Sequence, residues 1–588
     1  MRHSDDHTLH DLDHVSHDND DPHSVSMFQT STSQSHPQSL PLSNSSTSAS
    51  TAVHTPQDDE AEFERYGGDE PRDPPPKPQS GKEPSLAETH VEQPERNEKD
   101  REFLQWDGPN DPSNPQNMTR TRKWFITILC AVLTINVTFA SSAPSSATMA
   151  IAQEFEVGSE VATLITTLFL CGYVFGPLIW APGSEFVGRR PIFTITILCY
   201  CLTILGQALA PNIATLMITR FLSGLFASAP LTNCGGVIAD IWDPVTRGTA
   251  ASIFSASVFI GPVIGPMIGG YLTMSHLGWR WIFWIMMIFA GLCWVLAFLF
   301  LPETFAPYLL LKKARRMRKQ DPEKHKDVIA EHELMDRSLK GLLHRTVFRP
   351  FQMLALEPIL ILVTIYLSIV YGLLYALFES FPIIWAEKRG FNLGESGLIF
   401  IGVGIGTTIG ALVNIHLGQK YKELMKTWRG FPPPENRLPG AIAAGPFLVV
   451  GIMWIGWTGA YASVPWYVPA LGTIVLGISF SLIFISLITY IIETYLMYSA
   501  SALAANTVIR SAVAAAFPLF TVQMFDNLGV QWASTLIGGI AILLAPTPYI
   551  FWKYGHRIRA RSRFAPCPDL KIREEIEAEK LSRSSSNV

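Results

Sequence analysis

From residue 124 onward the chain is a succession of apolar stretches, each long enough to cross a ~30 Å hydrocarbon layer as a helix. A first set runs 124–143, 161–180, 191–209, 213–236, 249–271 and 281–301; a second runs 358–378, 396–416, 440–461, 466–488, 501–523 and 531–552. Lipid offers no partner to a backbone N–H or carbonyl, so stretches of this kind are confined to helices or closed barrels. Their length selects helices. Composition agrees: charged residues make up 16% of the 588, against roughly 25% in soluble domains. Soluble domains cannot cover so much apolar surface with so little charge. The expected fold is therefore an all-α membrane protein with 12 transmembrane helices in two six-helix halves. A collagen, a coiled coil and a disulfide scaffold are excluded.

Charge is unevenly placed. Residues 1–100 hold 21 acidic and 7 basic side chains, leaving 29 acidic and 38 basic in the remainder. That first stretch is rich in Ser, Thr, Pro and His, with few apolar groups to offset the entropy of ordering it. Residues 1–118 are assigned to a disordered acidic tail. Nine of the 15 His lie there at irregular spacing, which fits composition better than metal binding. The start, MRHSDDHTLH, lacks an apolar core, so no cleavable signal peptide is expected. The remaining boundaries are 119–304 for the N-terminal half, 305–355 for a basic central loop, 356–554 for the C-terminal half and 555–588 for a second tail.

The cations fix an orientation. Arg120, Arg122, Lys123, Arg189, Arg190, Arg247, the run from Lys312 to Lys319, Lys420 to Arg429 and Lys553 to Arg563 all fall on one side. The positive-inside rule places that side, both termini and the central loop in the cytosol. An even number of crossings follows. The cations at 553–563 also suit anionic lipid headgroups. The Asn-x-Ser/Thr sequences at 44, 117 and 136 fall in cytosolic or intramembrane segments, so none is expected to carry a glycan. Six of the seven Cys lie in apolar runs without zinc spacing and are expected to be buried hydrophobes. No HExxH, GxSxG or phosphate-loop sequence supports an enzyme, and no repeated filter-like loop supports a channel.

Several motifs go further. WDGPNDPSNPQN at 106–117 precedes the first span, and APGSEFVGRRP at 181–191 fills the turn between the second and third spans. Arg220 lies several residues inside the fourth span, with Gly224 one turn later, and Asp240 closes that span. FIGPVIGPMIGGYL in the fifth span overlaps two small-residue repeats, each with a proline. Together these residues resemble the major facilitator superfamily and, within it, the fungal twelve-span drug:proton antiporters. The resemblance covers about 106–564.

Within that resemblance Glu185, Gly188, Arg189 and Arg190 correspond to the loop that influences alternating access. Ala181, Gly183 and Phe186 depart from the family pattern there. Simple membrane anchoring by the two arginines is the competing reading. Asp240 is expected to engage Arg189, Arg190 or Arg247 as a gating contact. Gly261, Pro262, Gly265, Pro266, Gly269 and Gly270 match the antiporter hallmark. Arg220 corresponds to the intramembrane arginine of proton coupling, with snorkelling to the interface as the alternative. Glu379 is the acidic candidate near the pathway, for a proton or a substrate cation. Tyr371, Tyr375 and Phe378 share one helical stripe and, with Asn136, are the cavity candidates; packing or an interfacial aromatic belt is the alternative. Glu493 and Arg510 are expected to pair at the cytosolic side, as a coupling device or a structural salt bridge.

The resemblance implies proton-coupled efflux of small amphipathic or cationic compounds, such as azole-like drugs, fungicides or secondary-metabolite toxins, at the plasma membrane. It implies no enzyme activity, no cofactor beyond protons as coupling ion, no metal, no nucleic-acid partner and a functional monomer. A polyamine:proton exporter and a transporter-like sensor or scaffold are the alternatives.

Overall fold

The computed structural model describes residues 103–325, 328–334, 338, 341 and 344–585. Residues 1–102, to which most of the acidic tail belongs, lie outside the described residues. The long helices are α1 (Arg120–Ser142), α2 (Ser159–Val187), α3 (Arg189–Ala208), α4 (Ile213–Ile241), α5 (Pro244–Met274) and α6 (Arg280–Phe300). The polar helix α7 (Ala306–Gln320) follows, then α8 (Pro358–Phe381), α9 (Phe400–Thr427), α10 (Pro439–Gly459) and α11 (Tyr467–Tyr495). The chain closes with α12 (Ser499–Leu544), α13 (Thr547–Arg559) and α14 (Pro568–Ser585).

Among the described residues, ten helical runs are long and apolar enough to cross a membrane. The first nine coincide with the first nine apolar segments of the sequence. The tenth, Tyr467–Arg559, is a 93-residue run that takes in the last three. Its backbone breaks at Leu496 (φ 39°) and again inside α12 at Gly529 (φ 74°), where left-handed geometry favours glycine. Large apolar side chains such as Ile288, Leu292, Leu412, Leu536 and Leu543 point outward, as a lipid-facing surface requires.

Local chemistry sets the helix ends. Asn212 caps α4 by accepting from the Thr215 N–H at 2.8 Å, and Asp243 caps α5 with Pro244 as its first residue. Asn392 and Glu395 form a reciprocal capping box before α9. Gly188, at φ 98°, makes the reversal from α2 to α3.

Residues 103–118, which the sequence assigns to the tail, form a folded strap against α7. Leu104 N–H donates to the Ile329 carbonyl at 3.0 Å, and Lys313 Nζ reaches Asp107 at 2.7 Å and Asp111 at 3.4 Å. Backbone N–H groups of Ser113 and Asp107 hold the Asp111 carboxyl down to about 2. Asn117 Nδ2 donates to the Pro109 and Asp111 carbonyls. The Asp, Asn and Pro of WDGPNDPSNPQN thus build a run of turns, where hydrogen bonds replace the missing apolar core.

At the other end of the chain, Arg559 ties α13 to two carboxylates. Its Nε and Nη2 donate to Glu435 at 2.9 Å, and its Nη1 and Nη2 donate to Asp569 at 2.8 Å. All three are buried, so removing the cation strands two acids. Arg559→Ala is expected to lower stability by roughly 3–5 kcal/mol. Thermal unfolding in detergent, with limited proteolysis between 560 and 585, checks this; an unchanged midpoint and unchanged cleavage would refute it.

Candidate functional site

Three assemblies of side chains stand out, one on the face that carries most of the cations (the basic face), one along α5 and one deep in the bundle. At the basic face Arg189 is the hub. Its Nε meets Asp240 Oδ2 at 3.2 Å, its Nη1 donates to Ser184 Oγ at 2.7 Å, and its guanidinium lies 5.1 Å from the Phe305 ring. Ser184 in turn donates to Asn233 Oδ1, and Thr304 Oγ1 donates to the same Asp240 oxygen at 3.2 Å. Of the three cations expected to engage Asp240, Arg189 does so. Arg190 donates to the Phe298 carbonyl and Arg247 to those of Ala239 and Trp242. The Glu185 carbonyl meets His332 Nε2 at 2.8 Å.

Glu303 completes this knot. Its carboxylate accepts from the N–H groups of Arg189 (2.9 Å) and Arg190 (3.2 Å), the free donors at the start of α3. It also accepts from Thr304 and Phe305. A Cβ at Gly188 would overlap this carboxylate. The signal available was Pro302-Glu303-Thr304: an acid just past a helix end can reach back to a neighbouring helix start.

Glu493 and Arg510 do not meet. Glu493 pairs with Arg437, whose Nη2 and Nε approach at 2.6 and 2.8 Å, and it accepts from Tyr421 OH at 2.5 Å. Arg437 also stacks 3.5 Å from the Tyr421 ring centre. Arg510 stands eleven residues into α12, about 17 Å along its axis. That depth removes it from the basic face, and the loop residue Arg437 takes its expected place.

Along α5 the small residues form a seam. A Cβ on Gly261 would strike Thr138 Oγ1, one on Gly265 would strike Ser142 Oγ, and one on Gly269 would strike the Ala143 carbonyl, all in and just after α1. Gly270 faces the Leu393 carbonyl, and Gly397 faces the Pro266 carbonyl at 2.5 Å from its would-be Cβ. Two adjacent edges of one helix therefore contact N-terminal and C-terminal segments at backbone distance. Ser146 Oγ donates to the Pro266 carbonyl at 3.1 Å, which adds a hydrogen bond across the seam.

The deep assembly joins α1, α2, α4 and α8. Arg220 is fully buried rather than snorkelling. Its Nε and Nη1 donate to the Ile165 and Ala140 carbonyls, both at 3.0 Å, and its guanidinium stacks 4.3 Å from the Phe169 ring. Next to Ala140, Ser141 Oγ meets Tyr375 OH at 2.9 Å, and Tyr375 OH lies 3.4 Å from Tyr371 OH. The Tyr371, Tyr375 and Phe378 rings follow one another at 5.2 and 5.3 Å between centroids. All three are buried, which places them inside the bundle and not in an interfacial belt. Glu379, partly exposed, lies one turn past Tyr375 on the same helix. Asn136 is buried, and its amide nitrogen has no hydrogen-bond partner among the described residues. Tyr173, which donates to the Val137 carbonyl, and Ser141 belong to this assembly and had no distinguishing signal in the sequence.

Comparison with known proteins adds a second line of observation. Residues 125–518 match the family model described as Major Facilitator Superfamily. The chain is 42% identical over 472 residues to the citrinin biosynthesis cluster MFS transporter mrr1 of Monascus ruber, covering 79% of this chain and 92% of that protein. It is 41% identical over 481 residues to the MFS-type efflux pump MFS2 of Trichophyton rubrum, covering 82% and 80%. In fold it is similar to the xylose transporter XylE from E. coli in a partially occluded inward-open conformation. That likeness has a TM-score of 0.54 at 15% identity and covers 74% of this chain and 98% of that one.

The α5 seam gives a direct test of the packing. Gly265→Leu drives a branched side chain into Ser142 and Ala143 and is expected to destabilise by about 1–3 kcal/mol, as overpacking does. Gly291→Leu, where a Cβ meets nothing within 4 Å, is the matched control and should leave the melting midpoint unchanged. Thermal unfolding of both variants in lipid nanodiscs decides; equal midpoints would show that the seam is not tight.

Proposed function

The chain belongs to the major facilitator superfamily, and on that premise we propose that it exports small amphipathic organic compounds in exchange for protons. The observation that carries this reading is the buried contact between Ser141 and Tyr375, where an arginine-bearing N-terminal assembly meets an aromatic C-terminal one. A two-part bundle with a polar, aromatic meeting point is suited to alternating access around a central site. The curated relatives support export: they include an efflux pump and transporters of the citrinin and ascochitine biosynthesis clusters.

In this reading the run Tyr467–Arg559 makes three crossings, which gives twelve in two sets of six around the central loop. The basic face lies in the cytosol with both termini, and the membrane is the plasma membrane. The protein works as a monomer. Arg557, Arg561 and Arg563 line a cavity of about 490 Å³ at that face, which suits anionic headgroups.

Roles follow from placement. The Arg189, Asp240 and Glu303 knot, with Glu185, Gly188, Arg190 and Arg247 around it, holds the cytosolic ends of the N-terminal helices in one arrangement. Glu493 does the same for the C-terminal helices through Arg437. The glycines and prolines of α5 keep the opposite face closed. Asn136, Tyr371, Tyr375 and Phe378 contact substrate. Arg220 and Glu379 couple the proton: a carboxyl on the aromatic helix gains or loses charge, and the fixed cation across the bundle responds to the field.

The test is uptake of a labelled azole into inside-out vesicles carrying a proton gradient. Wild type should accumulate it, and dissipating the gradient should abolish accumulation. Arg220→Ala and Glu379→Gln should each cut gradient-driven uptake roughly tenfold or more, while the folded fraction stays level. Uptake that ignores the gradient would rule out antiport.

A further inference from the structure

Arg510 is the one arginine deep in the bundle whose guanidinium makes no hydrogen bond to any described residue. It is only 5% exposed, and its Nε is buried with no partner. Arg220, at similar depth, is otherwise placed: two of its nitrogens are spent on backbone carbonyls. The hydroxyl-bearing ring against Arg510 is that of Tyr371, whose OH lies 3.4 Å from Tyr375 OH. Two acids at the ends of the neighbouring helices α11 and α8 are committed elsewhere. Glu493 is bound to Arg437 and Tyr421, and Glu357 accepts from Ser562 and from the Arg563 N–H.

Rings surround the cation instead. Its guanidinium carbon lies 4.7 Å from the Tyr371 ring centre and 4.8 Å from that of Phe484. Phe259 of α5 closes the group, 5.3 Å from Phe484 and 6.4 Å from Phe480. Facing rings stabilise a cation when water is excluded, but they offer its N–H groups no acceptor oxygen such as an anion supplies. Phe259 belongs to a helix before the central loop, and Phe480 and Phe484 to one after it. Separation of the two sets of helices would open the aromatic box from one side.

We infer that Arg510 anchors a carboxylate or comparable monoanionic group of the transported compound, and that Tyr371, Phe484 and Phe259 hold the flat ring system attached to it. The preferred substrates are then aromatic organic acids rather than cations. A guanidinium presents paired N–H donors that match the two oxygens of a carboxylate. This inference rests on the export reading and names its substrate class.

The experiment is equilibrium binding to the full chain in nanodiscs at about pH 7, with three probes of one shape: naphthoate, naphthamide and naphthylmethylammonium. Wild type should bind naphthoate about tenfold or more tightly than the other two. Arg510→Gln should bring the naphthoate Kd to within about twofold of the naphthamide Kd, and Arg510→Lys should keep part of the preference. Phe484→Leu should weaken all three probes and retain the order. Equal affinities in wild type, absence of naphthoate binding, or a preference that survives Arg510→Gln would each overturn the assignment. Wild-type probe order decides even if an Arg510 variant fails to fold. Binding needs no gradient, so azole export without carboxylate preference would sink this inference alone. A carboxylate preference without gradient-driven movement would leave the anchor standing and remove the antiport reading.

Discussion

Everything in this bundle depends on how closely two helices can approach in a solvent that gives them no hydrophobic push toward each other. Lipid is as apolar as leucine, so helix association rests on contact area and on polar groups that find one another. Gly261, Gly265 and Gly269 supply that contact by removing the side chains that would hold α5 away from α1. Gly270 and Gly397 repeat the arrangement against the segment that precedes α9. Because α5 touches both sets of helices through backbone, its position fixes theirs. Ser146 adds a hydrogen bond to the Pro266 carbonyl of the same helix. Sequence and packing meet in one fourteen-residue stretch.

Charge is handled differently at the edge and at the centre. At the basic face every cation of the Arg189 knot has a carboxylate, a carbonyl or a hydroxyl, and Glu303 and Asp240 each serve several donors. Such a network holds the ends of several helices in one arrangement, because each of its acids serves more than one of them. At the centre the two arginines have rings and carbonyls but no acid. Fixed positive charge without a fixed counter-charge costs free energy in any state that lacks an anion or a compensating field.

Much of this was legible in the residues, for reasons that can be named. Apolar length located the first nine helical runs, since nothing else satisfies a lipid-buried backbone. Small-residue spacing identified the α5 seam, because period four on a helix is one edge. The depth of Arg220 followed from its distance to both span ends. The Glu493 and Arg510 pairing failed because sequence shows opposite charges in neighbouring segments but not the loop that folds between them; Arg437 sits in a short turn among prolines and was invisible as a partner. The strap at 103–118 looked like tail because its order comes from side-chain turns and from Lys313, two hundred residues away, rather than from apolar burial. Ser141 and Tyr173 carry no signal at all: a serine and a tyrosine in an apolar helix become informative only when their neighbours are known.

The contrast between the α5 seam and the aromatic box bears on how such a bundle moves. Backbone-to-backbone contact at Gly265 and Gly397 is set by hard repulsion and tolerates little sliding. The contacts around Arg510 are ring edges and faces at 5–6 Å, each worth about 0.5–1.5 kcal/mol beyond the area they bury. A handful of such contacts separates at modest cost, and the hydroxyl pair between Ser141 and Tyr375 adds about 1 kcal/mol more. The soft part of the structure is thus where its unpaired cations are. An anion entering beside Arg510 would replace ring contacts with a charge-assisted pair, stronger than what it displaces. Binding and opening would then draw on the same few interactions, and no separate trigger is needed to connect them.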